Sequence, residues 1–285
     1  MFAYSQIEKS WPSKFLLSHS DLELLQGRPS PSYGSKFVLG EWNVHNRSGS
    51  TATVGIGGRI QADIWTMRTW DESEYAAGVV YTDETADAQN ATTADVNLST
   101  VAANGDGFVI GCDIPFNIVS LVLSQAAASN AVWQVYYSIA SAGTGFSSNF
   151  TELVAADMHV APSFGTIGEH LLWFDPPAAW HKATADTLIV NRHGRSSVQV
   201  AGLTPPSQYL LVVKATTAPD TTRGQINIAT LGRMFMTKAS VATASVLNNI
   251  GGVEIALPPQ CDGIAAAISV ANAQNRASVS YRYSG

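Results

Sequence analysis

The chain has 285 residues, of which 46% are apolar and only 13% charged, and its net charge is −6. That charged share is about half the usual quarter, and Ala, Ser, Thr, Asn and Gly fill the difference. The composition excludes a disordered chain, which combines low hydrophobicity with high net charge. It also excludes a long heptad coiled coil and a general nucleic-acid binder, which needs a basic surplus.

The start of the chain, Met1-Phe2-Ala3-Tyr4-Ser5, meets Glu8 and Lys9 before any signal-peptide core can form. No stretch approaches the ~18 apolar residues of a membrane helix, so no membrane partner is expected and synthesis is expected in the cytoplasm. Residues 1–19 contain Trp11, Phe15 and Leu16 but no strand period. Ser20-Asp21-Leu22-Glu23 fits a capping box, and Gly27 with Pro29 ends the short helix it opens. A helix of about two turns is unstable alone and must dock. Residues 1–33 therefore read as an arm with a short helix. It buries Trp11, Phe15, Leu22 and Leu25 either on its own domain or on a neighbouring subunit.

From Ser35 the signal turns to strands. Residues 37–44 are β-rich, Asn46-Arg47-Ser48-Gly49-Ser50 is a turn, and residues 51–56 complete an expected hairpin. Residues 59–70 alternate Ile60, Ala62 and Ile64 with polar neighbours, as a further strand would. Asn104-Gly105-Asp106-Gly107 is a turn before a strand at 108–112. Residues 119–123 and 132–137 read as neighbouring strands, and 171–174, 187–190 and 209–213 continue the series. Many short strands punctuated by Gly, Pro and Asn, with almost no helix, mean an all-β chain of two β-sandwich or jelly-roll-like domains.

A faint internal echo supports two related units. Ile118 to Ser138 and Ile264 to Ser284 both span 21 residues and end in paired tyrosines (Tyr136-Tyr137; Tyr281-Arg282-Tyr283) before Ser. The second copy stops early, so its missing strands must come from the other end of the chain. The expected division is the arm at 1–33, a β-domain from 34–85 plus 236–285, and a central sandwich at 86–235.

The charge is uneven. Between Arg68 and Lys182 lie 113 residues with no Lys or Arg and thirteen acids. The rest of the chain holds all 16 bases and nine acids, a surplus of +7. Such asymmetry suits head-to-tail contact between copies, or a basic flank on an acidic partner, as well as a plain soluble acidic domain.

Chemistry is thinly signalled. Six histidines are scattered without a metal-binding spacing, although Glu169-His170, His159 and His181 could converge in space. Asp83-Glu84-Thr85-Ala86-Asp87 is an acidic loop that either holds calcium weakly or, on the plainer reading, is simply solvated. No nucleophile elbow, Walker loop or dinucleotide fingerprint is present, and Gly143-Thr144-Gly145-Phe146 reads as a turn. No metal, cofactor or catalytic residue is assigned. Cys112 and Cys261 sit in apolar contexts and read as buried free thiols. The Asn-x-Ser/Thr triplets at Asn46, Asn90, Asn97 and Asn149 read as chance. The aromatic set is richer. Trp133, Tyr137, Trp173 and Trp180 serve either as sandwich core or as a stacking platform for a host surface glycan.

Residues 132–138, Phe150-Thr151-Glu152-Leu153, the run Trp173-Phe174-Asp175-Pro176-Pro177-Ala178-Ala179-Trp180-His181-Lys182, and residues 209–213 together resemble a β-sandwich module of tailed-bacteriophage virion proteins. The resemblance covers about 108–235. It implies a non-enzymatic structural subunit on a virion, either a capsid decoration (cement) protein or a tail or fibre component. Its implied partners are other virion proteins and copies of itself. The alternative is a lectin-like, glycan-binding module for host attachment.

Overall fold

The computed structural model describes residues 5–11, 15–16, 36–46, 49–70, 82–99, 102–140, 149–184, 207–242, 246–249, 253–256, 260–270 and 275–283. The chain is all-β, as its strand and turn pattern predicts. The first half of the strand series is β1 (Ser5–Trp11), β2 (Phe15–Leu16), β3 (Lys36–His45), β4 (Ala52–Ile60), β5 (Trp65–Trp70), β6 (Val96–Asn97), β7 (Gly107–Cys112), β8 (Ile118–Ala127) and β9 (Val132–Ser138). It continues with β10 (Phe150–Glu152), β11 (Met158–Val160), β12 (Gly168–Phe174), β13 (Lys182–Thr184), β14 (Ser207–Thr217), β15 (Arg223–Val241), β16 (Val246–Asn249), β17 (Val253–Ala256), β18 (Cys261–Ile268) and β19 (Asn275–Tyr283).

Two compact units divide the chain: unit 1 is 1–61 with 230–285, and unit 2 is 62–229. In unit 1, β3 collects partners from the far end of the sequence. β19 lies along one edge of it and β16 and β17 along the other, with β1 outside β19. A second set of strands places β4 between β18 and the later part of β15, with β2 beyond β18. Gly57 is obligatory there. A Cβ at this position would stand 1.9 Å from the Arg233 carbonyl oxygen, so only glycine lets β4 approach β15 so closely.

Unit 2 is a two-sheet sandwich. One sheet runs β10-β9-β14-β7-β5, with β13 also on β14. The other runs β11-β12-β8 to the early part of β15, which β6 also joins. The continuous apolar run at 209–213 becomes β14, flanked on both edges by β9 and β7, with Leu210, Leu211, Val212 and Val213 all fully buried. Phe116, Phe174 and Trp180 form an aromatic cluster, with ring centroids 5.1–6.4 Å apart. Phe174 belongs to β12 of one sheet, and Trp180 Nε1 donates to the Leu210 carbonyl in the other at 3.1 Å. The cluster therefore ties the two layers of unit 2 together.

Several expectations need correction. Residues 1–19 are not strandless. Ser5–Trp11 pairs with β19 and Phe15–Leu16 with β18, so these parts of the arm are strands of unit 1. Their partners come from the other end of the chain, and tertiary pairing of this kind overrides a weak local pattern. The short helix, with Leu22 and Leu25, lies outside the described residues, as do the expected strand at 187–190 and the turn at 143–146. Strands β3 and β4 form no hairpin, because they belong to different sheets. The link between them, residues 46–51, is six residues long, beyond the two-residue loop of a tight hairpin. The strand expected at 59–70 is broken by a 3₁₀ turn at Ala62–Ile64. β8 and β9 are not sheet neighbours either, since the turn after Ala127 carries the chain from one sheet of unit 2 to the other.

That last correction gives the internal echo a structural counterpart. β18 and β19, which hold the second copy, also belong to different sheets. The unit boundaries fall at 61/62 and 229/230. Residues 62–85, placed by the sequence reading with the chain ends, lie in unit 2 because Trp65–Trp70 pairs with β7.

Candidate functional site

The division into units sharpens the charge asymmetry. Unit 2 carries sixteen acids and six bases, a net −10, and unit 1 carries six acids and ten bases, a net +4. The acidic character of unit 2 is spread over several surfaces. Glu152 is exposed at the edge strand β10, Asp175 is exposed after β12, and Asp83 is exposed beside β5.

Strand β9 carries the aromatic part of the surface. Trp133 is half-buried, its ring 5.0 Å from that of Phe164. Tyr137 is also half-buried, on the same face of the strand as Trp133 and the buried Val135. Tyr136 lies on the opposite face. Its hydroxyl donates to Gln134 Oε1 at 2.6 Å, and Lys214 Nζ sits 5.0 Å from its ring centroid. Partial burial and the nearby Glu152 carboxylate both hold the Tyr136 phenol above its ordinary pKa.

The expected glycan platform does not assemble. Trp173 is 0% exposed and Trp180 is 7% exposed, so neither presents a face to a sugar. Trp173 lies in the central part of the β11-β12-β8 pairing, and Trp180 belongs to the aromatic cluster described above. Trp133 and Tyr137 alone of the four reach the surface.

Each histidine named as a possible ligand has a local role or stands apart. His159 Nε2 is 3.0 Å from Asp175 Oδ1, and its ring lies 4.8 Å from that of Trp173. His170 Nε2 contacts the Thr166 carbonyl at 2.7 Å. Among the described residues no three His, Cys, Asp or Glu side chains converge on a point that could hold a metal.

The acidic loop has an internal explanation. Thr85 Oγ1 donates to Asp83 Oδ1 at 2.6 Å, and Asp83 Oδ2 faces the buried Arg68 at 3.6 Å. Burial pulls the Arg68 guanidinium below its ordinary pKa, and Asp83 opposes that shift. Glu84 is pushed up by burial and then by Asp87 and Asp83. Lys182 and Asp113 form a second ion pair, with the ammonium also 5.7 Å from the Tyr209 ring.

Cys112 and Cys261 are both buried and free of a disulfide. Of the four Asn-x-Ser/Thr triplets, Asn46 and Asn149 are buried, and Asn97 accepts a hydrogen bond from Gln225. Asn90 is exposed and uses its side-chain oxygen to accept from Thr92.

One property of the surface was invisible in the sequence. Three large apolar side chains stand exposed among the described residues: Val132 (51%), Val154 (53%) and Ile167 (69%). Val132 lies between Ala131 and Trp133, and Val154 between Leu153 and Ala155, so both read locally as core, while Ile167 stands alone between Thr166 and Gly168.

No protein-family model, no curated protein and no solved structure matches the chain.

Proposed function

We propose that the chain is a non-enzymatic structural protein that assembles head to tail with copies of itself. The basic unit 1 of one copy seats on the acidic unit 2 of the next. The observation that carries this reading is the coincidence of charge with architecture: −10 on one compact β-unit and +4 on the other. Opposite net charges on two surfaces of one chain steer copies into a single orientation and oppose like-to-like contact. A contact between two different surfaces is heterologous, and it builds closed rings or open arrays.

The setting is the virion that the sequence resemblance implies. There the protein acts as a capsid decoration protein or as a tail or fibre component. Its further partners are other virion proteins.

Sedimentation velocity of the full chain tests the reading. Association is expected in about 0.01 M salt, where the screening length is about 30 Å, and dissociation in about 1 M salt, where it is about 3 Å. A monomer under both conditions overturns it. The virion setting is tested by quantitative mass spectrometry of purified particles. Hundreds of copies indicate the capsid, a few to dozens indicate tail or fibre, and none refutes the setting.

A further inference from the structure

We infer that residues 82–89 are an edge guard: they close the β5 edge of unit 2 and so keep two copies of the chain from pairing β5 to β5. The inference stands independently of the head-to-tail contact proposed above. β5 ends its sheet, with β7 on one side and no further named strand on the other among the described residues. Its sequence, Trp65-Thr66-Met67-Arg68-Thr69-Trp70, has no proline and a single charge, and Arg68, which carries it, is buried. Six residues of high β-propensity and low charge pair readily with their own copy when such an edge is left open. β10, at the other end of the same sheet, needs no cover. It has three residues, and the exposed Thr151 and Glu152 are two of them, so shortness and charge protect it.

The cover on β5 is made of side chains as much as of backbone. The Thr69 amide donates to the Thr82 carbonyl at 3.2 Å, and the Glu84 amide donates to the Met67 carbonyl at 3.0 Å. A strand would carry this ladder onward, but the chain instead enters a helical turn at Thr85–Ala88. Two side chains complete the cover. Thr85 Oγ1 accepts from the Met67 amide at 3.0 Å. Gln89 Nε2 donates to the Ala62 carbonyl at 2.5 Å and to the Trp65 carbonyl at 3.3 Å. Trp65, Met67 and Thr69 are the alternate residues whose main-chain groups turn away from β7, and this segment holds each of them.

The guard offers no strand edge of its own. Asp83 meets Arg68 in an isolated antiparallel bridge, and the helical turn follows two residues later. The outer side of the segment is polar or small, with Thr82, Asp83 and Ala86 exposed, while Ala88 is fully buried and anchors it. A second copy of β5 arriving at this edge would have to displace the bonds to Trp65, Met67 and Thr69 and part the Asp83–Arg68 ion pair. Covering an edge strand with a loop that cannot itself be paired is one of the ways natural sheets avoid edge-to-edge association.

The test uses the full chain with Thr85→Val and Gln89→Ala combined, which removes the side-chain bonds to β5 and to the turn before it. The work is done in about 1 M salt, where a screening length of about 3 Å suppresses both charge-driven assembly and the repulsion between two acidic units. Hydrogen–deuterium exchange, read by mass spectrometry over residues 65–70, reports on the edge. Residues 209–213, which are paired on both sides, are the internal control. Sedimentation velocity over a concentration series reports association. Gln89→Ala alone, which keeps the Thr85 bond, is measured in parallel.

The expected result is that T85V/Q89A exchanges at 65–70 about tenfold or more faster than the wild type, keeps its protection at 209–213, and forms dimers or larger species where the wild type does not. Q89A is expected to do the same to a smaller degree. Faster exchange at 65–70 without added association shows that the open edge needs no guard and overturns the inference. Unchanged exchange shows that these side chains do not hold the segment, and overturns it as well. If the double variant loses protection at 209–213, it has unfolded, and Q89A decides by the same two outcomes. Head-to-tail assembly is measured in low salt, so either reading can fail while the other stands.

Discussion

Trp173 and Trp180 are both core residues of unit 2, yet their indole nitrogens are in opposite situations. Trp180 Nε1 donates to the Leu210 carbonyl at 3.1 Å. Trp173 Nε1 is buried and has no hydrogen-bond partner. The His159 ring, 4.8 Å away and tilted by 58°, offers it no more than a weak N–H···π contact. Replacing either residue by Phe removes roughly 40 Å³, which costs about 1 kcal/mol of cavity and about 1 kcal/mol of lost transfer energy. The polar contributions then differ in sign. Trp173→Phe also removes an unsatisfied buried donor that costs about 1–3 kcal/mol, so its net effect is close to zero. Trp180→Phe loses a hydrogen bond worth about 1 kcal/mol, so its total is about 3 kcal/mol of destabilisation. Urea unfolding followed by far-UV circular dichroism measures both, with equal slopes required for the comparison. If Trp173→Phe destabilises as much as Trp180→Phe, the orphaned donor is not there and the reasoning fails.

Glycine position offers a second test. A Cβ on Gly107 would stand 1.9 Å from the Val213 carbonyl oxygen, whereas one on Gly165 meets nothing within 4 Å. Gly107→Ala is expected to lower the melting temperature of unit 2 by several degrees or to abolish soluble expression, and Gly165→Ala to change it by little. A third prediction concerns pH. The Glu84 carboxyl has its folded pKa raised above 4.5 by burial and by Asp87 and Asp83. The folded state therefore binds this proton more tightly than the unfolded state does. Stability is lost as pH rises from about 4.5 through the folded value, and neutral pH carries the full cost. Glu84→Gln should raise the melting temperature at pH 7 and give no gain near pH 4, and an equal gain at both pH values would refute the assignment. Unit 2 is one continuous stretch of chain, so a fragment of residues 62–229 is expected to fold alone with a cooperative thermal transition. A chain lacking residues 1–33 loses β1 and β2, and should keep that transition while losing protease resistance in residues 36–61 and 230–283.

Much of unit 2 was legible because its strands announce themselves locally. The apolar runs at 108–112, 171–174 and 209–213 lie between turn residues, and each becomes a strand with most of its side chains buried. The pairing of those strands was not legible. A turn such as Asn46–Ser50 shows that the chain changes direction, but not that it leaves one sheet for another. β1 was invisible because Ser-Gln-Ile-Glu-Lys-Ser-Trp has no period, and the β19 strand that organises it lies more than 260 residues away. The aromatic platform failed for a similar reason. Spacing places Trp133, Val135 and Tyr137 on one face of β9, but the layer packed against that face decides which of them water can reach. Nothing local marked Val132, Val154 and Ile167 as exposed, since exposure of an apolar residue is a property of the finished surface. Charge was the most legible feature. It needs no register, and the run without Lys or Arg, 69–181, lies wholly inside the acidic unit, close to its first edge and well short of its last.

The way β3 draws its partners from the far end of the sequence fixes the order of events on the ribosome. Residues 1–61 emerge first, but β16, β17 and β19, against which β3 pairs, follow only after the 168 residues of unit 2. At ordinary elongation rates that delay is roughly 10–30 s. Unit 2 can complete itself in that interval, while the nascent β1, β3 and β4 wait with unpaired edges. The vulnerable species in biosynthesis is therefore a half-made chain with one finished sandwich and several orphan strands. A chaperone that shields extended β-segments during that window would raise the yield of folded protein more than one that acts after release.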